Sequence, residues 1–165
     1  MTTSTDGRTR LLVLNGPNLN LLGTREPHLY GSETLADVEA LATVRANKLG
    51  YGIEFFQSNH EGVLLDKLHE ARGHSAGVIL NPGGLTHTSV ALRDAITAVQ
   101  VPTVEVHLTN VHGREAFRGH SYISPVALAV IAGAGVHGYS LAVEILARHL
   151  SAQDSRNREP EEALA

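Results

Sequence analysis

Apolar residues in this chain fall into short continuous runs that alternate with helical stripes. Residues 10–14 (Arg-Leu-Leu-Val-Leu) form an apolar run that stops at Asn15-Gly16-Pro17, the pattern of a buried strand followed by a hard turn. Residues 33–49 then place Leu35, Val38, Leu41 or Ala42, and Leu49 at helical spacing, with Ser32 as the expected cap and Gly50 as the stop. The alternation continues with a strand at 53–57, a helix at 61–72, a strand at 77–80, a helix at 88–99 and a strand at 103–106. Residues 107–120 are polar, with room for one helical turn; 127–132 read as a fifth strand and 139–150 as a closing amphipathic helix. Strands separated by helices predict a parallel sheet covered on both faces. The expected fold is therefore α/β, a flavodoxin-like three-layer sandwich with a five-stranded parallel sheet in the order 2-1-3-4-5. Residues 10–150 make a single domain, and the polar stretches 1–9 and 151–165 read as disordered tails.

Composition narrows the function. With 42% hydrophobic and 18% charged residues in 165, the chain can bury an ordinary core. A formal net charge of −4 offers no global basic field for nucleic acid or an anionic membrane. The absence of cysteine excludes disulfides, thiolate metal sites and thiol nucleophiles. Residues 1–10 lack the apolar core of a secretory signal, and the apolar-rich run 126–136 is too short to span a bilayer, so a cytoplasmic location is the expectation.

An open parallel sheet binds ligands beyond the carboxyl ends of its strands, at the switch point between strands 1 and 3. At that edge the loop after strand 1 carries Asn15, Asn18, Asn20, Arg25, Glu26, His28 and Tyr30. The loop after strand 3 carries Asn81, two glycines, Thr86 and His87, and the end of strand 4 carries Glu105, His107, Thr109, Asn110, Arg114 and Arg118. The opposite edge, at 50–52, 74–76 and 100–102, has no comparable reactive set. Each residue also has a plainer reading. Asn15 and Gly16 suffice as a turn. Asn18 could hold a polar ligand or an ordered water. Arg25 is either a solvated loop charge or the partner of Tyr30. A free tyrosine has a pKa of about 10 and is a poor base near neutrality, and a nearby guanidinium stabilises tyrosinate. Tyr30 could equally cap the core. His87 reads as well as a packing residue at a helix entry as it does as a ligand. Strand alternation puts Glu105 and His107 on one side, where the carboxylate can orient the imidazole as a general acid. Arg114 and Arg118, four apart, would face one way if helical and could grip a carboxylate.

Several tempting patterns lead elsewhere. The run from Gly133 to Gly138 matches G-x-G-x-x-G, but a dinucleotide fold needs a further strand and an acidic residue about twenty positions on. No G-x-S-x-G elbow is present. Lys48 and Lys67 are the only lysines and both sit on predicted helices, which leaves no Schiff-base nucleophile at the strand ends. Two rivals stay open on the residues alone: a metal-dependent hydrolase using His60, His87 and His107, and a non-enzymatic binding module or structural oligomer, which gives Arg25 and Tyr30 no role.

The strings Leu14-Asn15-Gly16-Pro17-Asn18-Leu19-Asn20-Leu21-Leu22-Gly23, Arg25-Glu26-Pro27 and Tyr30-Gly31 closely resemble the signature of type II 3-dehydroquinate dehydratases. So do Gln57-Ser58-Asn59-His60-Glu61-Gly62, the string from Asn81 to Ser89, Glu105-Val106-His107-Leu108-Thr109-Asn110, and Arg114-Glu115 with Phe117-Arg118 and His120-Ser121-Tyr122. The resemblance runs over about residues 11–150. It implies dehydration of 3-dehydroquinate to 3-dehydroshikimate through an enolate, in the shikimate or quinate pathway, without cofactor or metal. It implies Tyr30 as the base, Arg25 keeping it ionised, Asn18 holding a water at the enolate oxygen, and His107, held by Glu105, protonating the departing hydroxyl. It implies Asn81, His87, Arg118 and the Leu108–Thr109 backbone as substrate binders. It further implies Asp94 as a contact from a neighbouring subunit in a homododecamer, a tetramer of trimers. Thr24 and Gly119 depart from the more polar residues that many members carry, which bears on loop detail rather than on the reaction.

Overall fold

The computed structural model describes residues 8–24 and 32–158. Five strands form one parallel sheet: β1 (Arg10–Asn15), β2 (Gly52–Gln57), β3 (Gly77–Asn81), β4 (Thr103–His107) and β5 (Ala129–Ala132). Their spatial order is β2-β1-β3-β4-β5, as the alternation of strands and helices predicts. The intervening helices are α1 (Leu35–Lys48), α2 (Glu61–Ala71) and α3 (Val90–Val99), and α4 (His137–Arg158) closes the described chain.

Successive side chains on a strand point to opposite faces, and here that divides the core in two. Leu11 and Val13 of β1, Ile79 of β3 and Val104 and Val106 of β4 face one layer, where Val38 and Ala42 of α1 and Tyr139, Val143 and Leu146 of α4 cover them. Leu12, Leu14, Val78 and Leu80 face the other, against Leu64 and Leu68 of α2 and Leu92 and Ile96 of α3. The inner strands β1 and β3 are thus apolar on both faces, as a sheet covered by helices on both sides requires, whereas β4 is buried on both faces but turns Thr103, Glu105 and His107 to the α2–α3 side.

Local chemistry moved several boundaries. α1 starts at Leu35 rather than residue 33, because Thr34 and Asp37 make a reciprocal capping box: Asp37 N donates to Thr34 Oγ1 (3.3 Å) and Thr34 N to Asp37 Oδ2 (2.8 Å). Ser32, the expected cap, has Leu35 at the corresponding third position and no such partner. α3 starts at Val90, after a 3-10 turn at Gly83–His87, and its cap is Ser89, whose Oγ accepts from Leu92 N. α4 continues past Leu150 to Arg158, so residues 151–158 are helical rather than tail. Along that polar extension Ser155 Oγ donates to the Ser151 carbonyl and Arg156 Nε to the Ala152 carbonyl. The expected tails at 1–7 and 159–165 lie outside the described residues.

The loops after β1 and β3 cross in contact. Gly16 N donates to the Asn81 carbonyl at 2.7 Å. A Cβ at Gly16 would stand 2.6 Å from the Pro82 carbonyl oxygen, so the glycine answers to this approach rather than to turn geometry alone. Gly16→Ala should cost about 1–3 kcal/mol of stability. It should also lower kcat/KM, because Asn18 and Asn81 sit beside the displaced backbone; denaturant unfolding and steady-state kinetics check both.

Candidate active site

The carboxyl ends of β1, β3 and β4 open into a cleft of about 160 Å³. Asn18 borders it from the loop after β1, Asn81 and His87 from β3 and its turn, and His107, Leu108 and Thr109 from the end of β4. Arg114 and Arg118 close the far side. Of the residues predicted at separate loops, Asn18, Asn81, His87, His107, Thr109, Arg114 and Arg118 thus border one cleft.

Its least expected element is a charge in the core. Glu105 is fully buried on β4, on the face opposite Val104 and Val106. His107 Nε2 lies 2.7 Å from Glu105 Oε1, the same-side pairing that strand alternation predicts. A carboxylate only accepts, so Nε2 carries the hydrogen and Nδ1 is the imidazole nitrogen left for proton exchange. Burial alone would push the Glu105 carboxyl up. The hydrogen bonds from His107, Ser124 and Thr86, with the charge of His107, outweigh that and hold it below its ordinary value of 4.5.

Asn81 is fixed from behind. Its Nδ2 donates to the Tyr139 hydroxyl (3.0 Å), which donates in turn to Asn15 Oδ1 (2.6 Å), and its Oδ1 accepts from Gly83 N. Burial pushes the Tyr139 hydroxyl far up, so it stays neutral and can keep donating. Asn15 is thus more than a turn residue: it anchors α4 to the site. His87 Nδ1 donates to the His120 carbonyl at 2.6 Å, which leaves Nε2 as the lone-pair nitrogen of the neutral ring. Ser89, not His87, caps the helix that follows. Asn18 takes a left-handed backbone (φ 68°), a conformation asparagine tolerates better than most residues, and its N–H is held by Asn59 Oδ1.

Arg114 and Arg118 do not share a helix. They belong to the ends of two 3-10 turns, Val111–Gly113 and Ala116–Gly119, and both converge on Glu115, at 3.5 and 2.8 Å. Phe117 between them stacks under the Arg118 guanidinium (4.9 Å) and meets the His87 ring edge-on (5.9 Å). One exposed ring so positions two site residues.

The dehydroquinase class II family model matches residues 9–147. The chain belongs to the class II dehydroquinase family. A relative named 3-dehydroquinate dehydratase from Corynebacterium glutamicum is 63% identical over 138 residues, covering 84% of this chain and 95% of that protein. Catabolic 3-dehydroquinase 2 of Aspergillus terreus is 58% identical over 140 residues, covering 85% and 95%. The crystal structure of the type II dehydroquinase from Butyrivibrio crossotus superposes with a TM-score of 0.82 at 40% identity, covering 84% of this chain and 97% of that one.

Arg25 and Tyr30 lie outside the described residues. Asp94 is exposed on α3 and does not border the cleft of its own chain. His60, a member of the metal-hydrolase alternative, stands before the first residue of α2, away from the cleft lining. Among the described residues no group of three His, Asp or Glu side chains could hold a metal ion, and no helix is long and apolar enough to cross a membrane. Lys67 is spent on Glu54 (2.7 Å) and Glu70 (3.1 Å). Sequence reasoning passed over Ser124, gave Tyr139 no role beyond its helix, and used Asn59, Ser121 and Thr86 only as neighbours or as part of a motif. The Ser121-x-x-Ser124 spacing marks a local hydroxyl turn, but nothing in it points to a carboxylate on another strand.

Proposed function

We infer that this class II dehydroquinase is a lyase that dehydrates 3-dehydroquinate to 3-dehydroshikimate, in the shikimate or quinate pathway. The observation that carries the reading is the buried Glu105–His107 pair at the floor of a cleft walled by amides and guanidinium groups. Loss of water across a carbon–carbon bond next to a ketone needs a base, an enolate stabiliser and an acid. Tyr30 removes the proton from the carbon next to the ketone, and Arg25 keeps its phenolate ionised. Asn18 holds the water that hydrogen-bonds the enolate oxygen, and His107 delivers a proton from Nδ1 to the departing hydroxyl. Asn81, His87, Arg118 and the backbone of Leu108 and Thr109 bind the carboxylate and hydroxyls of the substrate. The scheme uses no cofactor and no metal ion.

Asp94, which does not border the cleft among the described residues, is read as a contact to the ligand of a neighbouring subunit. Val90 and Asp94, four apart, share one exposed face of α3, which supports a contact there. The assembly proposed is a homododecamer, a tetramer of trimers, in the cytoplasm.

The test is direct. Incubation with 3-dehydroquinate should yield the conjugated enone, at the same rate with and without EDTA. No enone at high enzyme concentration would remove the reading, and loss of the product with EDTA would favour the metal-dependent alternative.

A further inference from the structure

We propose that Thr86, Ser121 and Ser124 form a hydroxyl cradle that keeps Glu105 ionised in the core whatever the protonation state of His107, and so act as positioning residues for proton delivery. The proposal rests on the reading of His107 as the proton donor.

A carboxylate removed from water needs donors or a fixed counter-charge. His107 cannot be that fixed charge, since it is cationic before it gives up a proton and neutral afterwards. Hydroxyls are indifferent to that cycle. Thr86 Oγ1 lies 2.5 Å from Glu105 Oε1, and Ser124 Oγ lies 2.5 Å from Oε2, so both carboxylate oxygens are served. Ser121 sets the direction of the network. Its Oγ accepts from the backbone N–H of Ile123 (3.0 Å) and Ser124 (2.9 Å), which occupies its lone pairs. Its own hydrogen then points onward, to Thr86 Oγ1 at 2.7 Å or Glu105 Oε1 at 3.2 Å. A chain from backbone N–H through Ser121 and Thr86 to Glu105 polarises each successive donor toward the carboxylate.

The consequence falls on His107. A weakly basic Glu105 does not take the Nε2 hydrogen, so the neutral ring keeps its hydrogen on Nε2 and only Nδ1 cycles. Without the cradle the two nitrogens would compete, and part of the enzyme would rest in the unproductive tautomer.

The groups that bear on Glu105 by charge are few. His107 touches it directly, and His87, Arg114 and Arg118 border the cleft above. From α3, which packs on the same face, Arg93 donates to the Tyr122 carbonyl and Asp94 is exposed. The donors around Glu105 hold its carboxyl below the ordinary carboxylate value, so stripping one raises the pH at which it protonates. Activity that depends on the carboxylate is then lost at a higher pH as the solution is acidified.

Kinetics against pH with 3-dehydroquinate, for the wild type, Ser124→Ala, Ser124→Thr and Thr86→Val, test this. Ser124 is only partly buried on a 3-10 turn, so its alanine variant removes one donor with little repacking. The acid limb of kcat should move up by about one pH unit in Ser124→Ala. KM and the thermal midpoint at neutral pH should change little, and Ser124→Thr should restore the limb. A uniform loss of kcat with an unmoved limb overturns the cradle, as does an unchanged profile. The Glu105 carboxyl carbon, followed by NMR in the wild type, should titrate below the exposed glutamates; titration with them or above them overturns the proposal even where a variant fails to fold. A wild type without turnover sinks the dehydratase reading instead, and the NMR titration still decides the cradle.

Discussion

Replacing His107 with alanine should lower kcat by about 10²–10⁴-fold, the usual weight of a positioned general acid. Hydroxide is a poor leaving group, and His107 combines position at the end of β4 with a carboxylate partner that dictates which nitrogen exchanges protons. KM should move far less, since Asn81, His87 and Arg118 are anchored independently, through Tyr139, the His120 carbonyl and Glu115. The fold should survive, because Thr86, Ser121 and Ser124 still reach Glu105 after the imidazole is gone. Steady-state kinetics with a thermal melt separate these effects. Parallel losses of kcat and thermal stability would make His107 a structural residue.

Tyr30→Phe should reduce turnover on the order of 10³-fold while leaving the fold and substrate binding nearly intact. The change removes a single oxygen, and with it the only group assigned to take the proton next to the ketone. Arg25 then has no phenolate to stabilise, so Arg25→Ala in the Tyr30→Phe background should add little further loss. Full additivity of the two would mean that Arg25 and Tyr30 act separately. Retained activity in Tyr30→Phe would take the tyrosine out of the mechanism.

The sheet was legible because β1 and β3 are apolar on both faces and alternate with helical stripes, the pattern of a covered parallel sheet. The described part of the cleft was legible because its residues cluster at strand ends, and the topology brings Asn18, Asn81 and His107 together. Residues 108–126 were not. Their three short 3-10 turns carry no periodicity, and they are placed by long-range bonds such as Tyr122 N to the Thr86 carbonyl (2.8 Å) and Arg93 Nη1 to the Tyr122 carbonyl (2.9 Å). The helical spacing of Arg114 and Arg118 therefore predicted a shared location through the wrong geometry. Helix ends shifted for a related reason. A capping box at Thr34 and local bonds beyond Leu150 compete with the apolar stripe that was used to set the boundaries.

In the proposed mechanism the loop after β1 removes the proton and β4 expels the hydroxyl. Deuterium exchange from solvent into 3-dehydroquinate, at the carbon next to the ketone, measures the first half alone. His107→Ala should still exchange that position while forming almost no enone, and Tyr30→Phe should do neither. Loss of exchange and of enone together in His107→Ala would contradict the account.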